Sequence, residues 1–232
     1  VTQEVWEEWQ GKGSRMFLNA GDRVPASDLM TGIANISAND ASAVIAYEAA
    51  GSVPQWTQLM NAKARAIGMT QSHFGTPNGW PDDGKTFTTA RDLVKLGRAL
   101  LTDHPQKYSR YVGKPEFTYN GITQINHDPL LGRVAGADGM KTGYTNEAGF
   151  GYLGTVKRGD QRLIVVVAGA PRKRLRGLAA QALIEWGFSA FDRVPMFASG
   201  EVIGSARVQN GTARNVALMA DGPITLNLPK GA

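Results

Sequence analysis

The sequence contains no cysteine. Disulfides, thiol nucleophiles and zinc–thiolate sites are excluded, and either redox compartment stays open to it. Histidine is scarce: His73, His104 and His127 are all there are, and they do not have the spacing of metal ligands. No G-x-S-x-G elbow presents a serine to any of them, so each is read as a loop or helix-end residue. Long apolar runs are missing too. The longest, Leu163 to Ala168, has the length of a strand and not of a membrane span. No charged-then-apolar leader opens the chain, so no signal peptide is visible. Basic residues do not interleave with aromatics along a stripe, which argues against nucleic acid as a partner. Finally, no Ser or Thr is followed three positions later by Lys. The pattern S-x-x-K, which sets a nucleophile and a base one helical turn apart, does not occur.

What remains is an ordinary globular composition. With 232 residues, 42% hydrophobic and 19% charged, the chain has enough apolar material for a sizeable core. The formal charge is +5, with Arg172, Lys173, Arg174 and Arg176 clustered, and a basic surface of that kind suits an anionic polymer.

Residues 26–50 read as two helices. Ser27 is the expected cap of the first, with Leu29, Met30 and Ile33 on its apolar side, and Gly51 ends the second. Between them lies the break at Ser37-Ala38-Asn39. Pro54 suits the first turn of a third helix, whose inward row would be Trp56, Leu59, Met60 and Ile67, with Gly68 as the stop. Residues 74–87, rich in Gly, Pro, Asn and Asp, read as a long loop. Thr88 or Thr89 caps a helix with Leu93, Leu96 and Leu100 inward, and Asp92 compensates its dipole. Glu116–Tyr119 and Ile122–Ile125 flank Asn120-Gly121 as a hairpin, and residues 149–157 and 162–168 form a second one. A helix from Leu175 to Phe188 follows, then strand-like sequence from Val194 onward. Helices, then strands, then a helix on the sheet describe a mixed α/β (α+β) layer architecture. The expected division is 1–193 and 194–232, the second part being the incomplete start of a β-rich domain, since roughly 40 residues rarely hold a core alone.

Two familiar patterns are decoys. Residues 79–86 fit the phosphate loop G-x-x-x-x-G-K-[ST]. Yet no buried strand precedes them, Pro81 removes a donor, and Asp82 and Asp83 repel phosphate. Residues 149–154 fit G-x-G-x-x-G, but strand-like sequence follows where a helix is required.

The chemistry lies in Ser37-x-Asn39 and, about a hundred residues on, Lys141-Thr142-Gly143. A serine next to a lysine relays a proton when the lysine stands near other positive charge. An Asn amide bonds a substrate carbonyl or a lysine head group. A strand after Lys141 can pair an extended peptide, with Gly143 keeping its edge clear. The Thr142 hydroxyl and a guanidinium can hold a carboxylate. Arg176 is the chosen guanidinium, Arg172 and Arg174 are alternatives, and a solvated helix start is the plain reading of all three.

These motifs resemble the low-molecular-mass penicillin-binding proteins, the serine D-alanyl-D-alanine carboxypeptidases of peptidase family S11. The resemblance extends through Met16-Phe17-Leu18, Gly32-Ile33, Ser37 to Ala41, His73-Phe74, Asn78-Gly79, Thr89 to Asp92, Asp138 to Gly143 and Glu185 to Phe188. It implies the transpeptidase fold shared with serine β-lactamases (an antiparallel sheet, flanking helices and a helical subdomain), and acyl-enzyme hydrolysis of peptidoglycan stem peptides ending in D-Ala-D-Ala. It also implies acylation by β-lactams, an exported (periplasmic or cell-envelope) location, and no metal or organic cofactor. By resemblance Ser37, Asn39 and Lys141 are catalytic. Thr142, Gly143, Tyr144 (through its N–H, an oxyanion donor) and Arg176 bind substrate. Ala38 stands where Gly is usual. The family's S-x-x-K lies dozens of residues before its S-x-N, whereas 36 residues precede Ser37 here. The expectation is a chain cut after that segment and inactive alone, a membrane tether belonging only to a full-length protein. The alternatives are a non-catalytic peptidoglycan-binding or regulatory relative and, further off, a nucleotide binder using Lys85.

Overall fold

The computed structural model describes residues 1–231. Helix α1 (Gln3–Trp9), which the sequence reading did not anticipate, starts at Thr2, whose hydroxyl accepts the Val5 N–H at 3.3 Å. Helix α2 (Ala26–Ile36) is capped by Pro25 and not by Ser27, which bonds the Asp28 side chain instead. The fixed φ of proline, −57° here, preorganises the entry, and the Pro25 carbonyl accepts the Asp28 N–H at 2.9 Å. Helix α3 (Asn39–Ala50) ends at Gly51 as expected.

Helix α4 (Val53–Ala66) has its Ser52 cap and Pro54 in its first turn. Its buried residues are Thr57, Asn61 and Ala64. Of the row expected inward, Trp56, Met60 and Ile67 are only half-buried and Leu59 is 55% exposed, so the helix is rotated from the expected face. Asn61 accounts for the rotation, because its amide donates to the Phe74 carbonyl and accepts the Phe74 N–H, both at 2.8 Å. Anchoring the main chain of the following loop outweighs burying Leu59, since buried backbone groups must be paired.

Helix α5 (Ala90–Asp103) is capped by Thr89 and followed by an unanticipated short helix, α6 (Pro105–Tyr111). Asp92 does more than compensate a dipole. It is fully buried, accepts the Gln71 N–H at 2.8 Å and the Ser72 hydroxyl at 2.9 Å, and pairs with Lys95 at 2.8 Å. These bonds hold its carboxyl below the usual carboxylate range, the Lys95 bond being the largest cause.

The hairpin of β1 (Glu116–Tyr119) and β2 (Ile122–Ile125) falls where Asn120-Gly121 placed it. Strands β3 (Ala137–Thr145), β4 (Gly149–Arg158) and β5 (Gln161–Ala170) form an antiparallel sheet in that order, followed by α7 (Lys173–Ser189). Then β6 (Phe191–Phe197) pairs with β9 (Ile224–Pro229), and β7 (Val202–Arg207) with β8 (Asn215–Met219). The mixed helix-and-antiparallel-sheet class is the expected one. The chain divides into two compact units, Val1–Ile184 and Glu185–Ala232.

Within the first unit, α1, α2, α3 and β1 share one core that includes Val5, Met16, Ile36, Val44 and Phe117. A second core joins α5 and α6 to the sheet through Tyr108, Met140 and Leu153, with Leu93 and Leu100 of the predicted α5 row against it. The start of β3 depends on a close backbone crossing. Gly113 has φ +71°, and a Cβ there would overlap the Asp138 carbonyl oxygen, while Gly139 has φ +103°. Gly113→Ala therefore combines left-handed strain with a backbone clash. We expect it to destabilise the fold by about 2 kcal/mol, measured as a lower midpoint in urea unfolding.

Candidate active site

The site begins with a backbone outlier. Ser37 ends α2 in the left-handed region, φ 58° and ψ 42°, a conformation that costs a non-glycine residue energy and must be held by its surroundings. The next residue, Ala38, begins α3 at φ −62° and is completely buried. An L-residue therefore fits where the family pattern has Gly. The turn aims the Ser37 hydroxyl at β3, and the Lys141 ammonium donates a hydrogen bond to it. A second proton of the same ammonium goes to the Thr142 carbonyl at 2.7 Å. Residues 104 positions apart thus meet in one contact.

Lys141 is half-buried, and burial lowers its pKa from 10.5 to about 8, with the Arg176 charge contributing second. Desolvation and a neighbouring cation both disfavour the charged amine. Asn39 lies at the start of α3, and its amide donates to the Lys12 carbonyl at 3.4 Å.

Strand β3 is an edge of its sheet, so one row of its backbone groups is left for another strand. Gly143 pairs with Gly151 across the ladder, and a Cβ added at Gly143 would meet nothing within 4 Å. Tyr144 is exposed, with its ring 4.2 Å from that of Phe150.

Among the basic cluster, Arg176 differs from Arg172 and Arg174. Those two are exposed, whereas Arg176 is 3% exposed, so a solvated helix start does not describe it. Its guanidinium donates to the Gly151 carbonyl at 3.4 Å and the His127 carbonyl at 3.5 Å, and it lies over the Phe150 ring. Its Nε is buried without a protein partner. Because Gly151 faces Gly143, the register brings Arg176 to the strand that carries Lys141. Ser37, Lys141 and Arg176 therefore share one neighbourhood, with Thr142 and Gly143 along its strand and Asn39 two residues from the serine.

Sequence reasoning missed the loop beneath this site. Asn35, 1% exposed, donates to the Tyr111 carbonyl at 2.8 Å and accepts the Lys114 N–H at 3.0 Å and the Asn126 amide at 2.9 Å. The Asn35 carbonyl accepts the His127 N–H at 3.1 Å. Tyr152 of β4 pins the same loop through Asp128, at 2.9 Å. His127, read as an ordinary loop residue, sits close enough to Lys141, Lys173 and Arg176 for their charges to add to burial in lowering its pKa. Only the polar run Asn126-His127-Asp128 between two strands hinted at this. His73 and His104 are loop and helix-end residues as expected, and His73 Nδ1 contacts the Lys85 carbonyl at 2.7 Å.

Neither decoy survives. Asp82 accepts the Thr86 N–H at 2.9 Å and the Thr86 hydroxyl at 2.7 Å, so a carboxylate of the loop itself occupies donors that a phosphate loop would offer its ligand. Residues 149–154 lie on strand β4. Among the described residues no acidic, His or Cys cluster is arranged to hold a metal ion, and no helix is long and apolar enough to cross a membrane.

Known proteins resemble this chain in sequence and in fold. Residues 1–172 match the family model described as D-alanyl-D-alanine carboxypeptidase. The chain is 38% identical over 222 residues to the D-alanyl-D-alanine carboxypeptidase DacA of Escherichia coli, covering 95% of this chain and 55% of the relative. The chain thus spans just over half the length of that relative. Penicillin binding protein 5 of Haemophilus influenzae superposes with a TM-score of 0.88 at 32% identity, over 100% of this chain and 67% of that one. Penicillin-Binding Protein D2 of Listeria monocytogenes, solved in its ampicillin-bound form, superposes at 0.69 with 31% identity, over 76% of this chain and 73% of that one.

The depressed Lys141 pKa has a measurable consequence. The folded state releases this proton near pH 8, whereas the unfolded chain holds it to about 10.5. The unfolded state binds more protons in that window, so stability rises with pH from about 8 to 10.5, the burial penalty being fully present below it. We expect an NMR titration of the Lys141 side chain to show a midpoint near 8, displaced upward in Arg176→Gln. The pH-dependent gain in unfolding temperature is expected to vanish in Lys141→Met.

Proposed function

We propose that this chain, which belongs to the peptidase S11 family of D-alanyl-D-alanine carboxypeptidases, carries the substrate-gripping and proton-handling side of a serine-type D-Ala-D-Ala carboxypeptidase. The observation that supports this most is the Lys141–Ser37 contact beside the buried Arg176 guanidinium.

In this reading the terminal carboxylate of the substrate docks between Arg176 and the Thr142 hydroxyl, where charge-assisted hydrogen bonds are strong. The peptide lies extended along the open edge of β3, with Gly143 leaving room for it. Asn39 bonds a substrate carbonyl. A serine supplied by an S-x-x-K segment attacks the carbonyl of the penultimate D-alanine, and the Tyr144 N–H helps hold the oxyanion. The C–N bond breaks as the leaving amine takes a proton through Ser37. Lys141 gives the relay its positive field and, with a pKa of about 8, can exchange a proton close to neutral pH. Water then cleaves the acyl-enzyme. β-Lactams enter the same route as acylating agents. The cleft-bearing residues all fall within the first compact unit, Val1–Ile184. A peptidoglycan substrate places the enzyme in the cell envelope.

Because no S-x-x-K occurs in these 232 residues, the chain itself is expected to bind and not to be acylated. Isothermal titration with N-acetyl-Gly-D-Ala-D-Ala tests the grip. Arg176→Gln is expected to weaken binding by about 10- to 100-fold, the worth of a hydrogen-bonded charge. Unchanged affinity would refute the carboxylate assignment. Mass spectrometry after incubation with benzylpenicillin is expected to show unmodified protein, and a stoichiometric adduct would reveal a nucleophile elsewhere in the chain.

A further inference from the structure

Asn35 makes every hydrogen bond that an amide can make, and the proposed reaction does not use it. Its nitrogen donates to the Thr31 carbonyl at 2.7 Å and to the Tyr111 carbonyl at 2.8 Å. Its oxygen accepts the Lys114 N–H at 3.0 Å and the Asn126 amide at 2.9 Å. Two donors and two lone pairs are all satisfied. The side chain lies inside the fold, where an amide left unpaired is costly and a fully paired one is rigid.

The backbone of the same residue is engaged as well. Helix α2 ends two residues later at the left-handed Ser37, so its last carbonyls need donors from outside the helix. The Asn35 carbonyl finds one in the His127 N–H, at 3.1 Å. On the other side of this loop, Asp128 accepts the Tyr152 hydroxyl at 2.9 Å and the Leu130 N–H at 2.7 Å. Residues 126–128 are therefore clamped between α2 and β4.

Arg176 rests on the clamped loop. Its bonds to the Gly151 and His127 carbonyls, at 3.4 and 3.5 Å, are long for N–H donors. Bonds of that length hold a guanidinium weakly, so its place follows the carbonyls that form its seat. The His127 carbonyl belongs to the residue whose N–H Asn35 holds. A short mechanical path thus runs from the Ser37 turn through Asn35 and His127 to Arg176. We propose that Asn35 is a positioning residue that sets the span between the Ser37 hydroxyl and the Arg176 guanidinium, so that the carboxylate anchor and the proton relay meet the two ends of one substrate. The roles of Arg176 and Ser37 come from the functional reading above, on which this inference rests.

The test uses the 232-residue chain and two peptides, N-acetyl-Gly-D-Ala-D-Ala and the same peptide with a C-terminal amide. Isothermal titration gives both affinities, and their ratio reports the carboxylate anchor alone. Asn35→Ser removes the bridging amide. Asn126→Ala removes one of its partners, which also donates to the Lys114 carbonyl at 2.7 Å, and serves where Asn35→Ser does not fold. Each is expected to lower the acid-to-amide ratio about fivefold, a part of the loss expected in Arg176→Gln, and to leave the amide peptide unchanged. Combined with Arg176→Gln, Asn126→Ala should cost nothing further, because both act on one interaction. Val5→Ala, which truncates the helical core, should keep the ratio. By NMR the Lys141 midpoint is expected to rise in Asn126→Ala as the Arg176 charge recedes. If the wild-type chain prefers the acid but Asn126→Ala keeps that preference, or Val5→Ala loses it equally, the positioning role is refuted and the carboxypeptidase reading stands. Additive losses with Arg176→Gln, or an unmoved Lys141 midpoint, refute it too. If the wild-type chain does not prefer the acid, the reading itself falls, and the positioning role with it.

Discussion

The contact between the Lys141 ammonium and the Ser37 hydroxyl is the interaction around which the rest is organised. It joins two halves of the first unit that have separate apolar cores, one among helices α1 to α3 and one beneath the sheet. A desolvated ammonium is costly unless its protons are accepted. The Ser37 hydroxyl and the Thr142 carbonyl accept two of them. The cation therefore draws the helical turn and the strand together, and the same desolvation brings its pKa into the range where proton transfer is useful.

A charge placed this way needs rigid support, and the support is polar. Asn35, two residues before Ser37, is bonded to the end of α6, to Lys114 and to Asn126, while the neighbouring His127 carbonyl receives the Arg176 guanidinium. One side-chain network thus carries both the strained serine turn and the buried arginine. Networks of this kind rigidify when every member is satisfied. The Arg176 Nε remains without a protein partner, consistent with a guanidinium that still has a donor to offer.

Sequence reasoning succeeded where chemistry is local. The Gly51 stop, the Thr89 cap, the Asn120-Gly121 hairpin and the second hairpin of β4 and β5 all follow from backbone preferences of a few adjacent residues, and all stand in the structure. It failed where a side chain reaches across the fold. The orientation of α4 is decided by Asn61 holding the Phe74 backbone, not by the periodicity of Leu59 and Trp56. Asp92 reads as a helix-start acid but serves as a buried anchor for Gln71 and Ser72. His127 carries only the faint signal of its polar neighbours Asn126 and Asp128, because the charges around it come from β3 and α7.

The motifs Ser37-x-Asn39 and Lys141-Thr142-Gly143 were legible as letters, since a reaction at a peptide's carboxyl end needs those functional groups whatever the fold. Arg176 was the arginine chosen to accompany them, but what sets it apart was not legible. Arg172, Arg174 and Arg176 are equivalent in composition, and only the antiparallel pairing of Gly143 with Gly151 brings one of them to the strand and buries it. Residue identity sets what a group can do, whereas its protonation and its partners depend on desolvation and on charges distant in sequence. Those exist only once the helices and the sheet have packed.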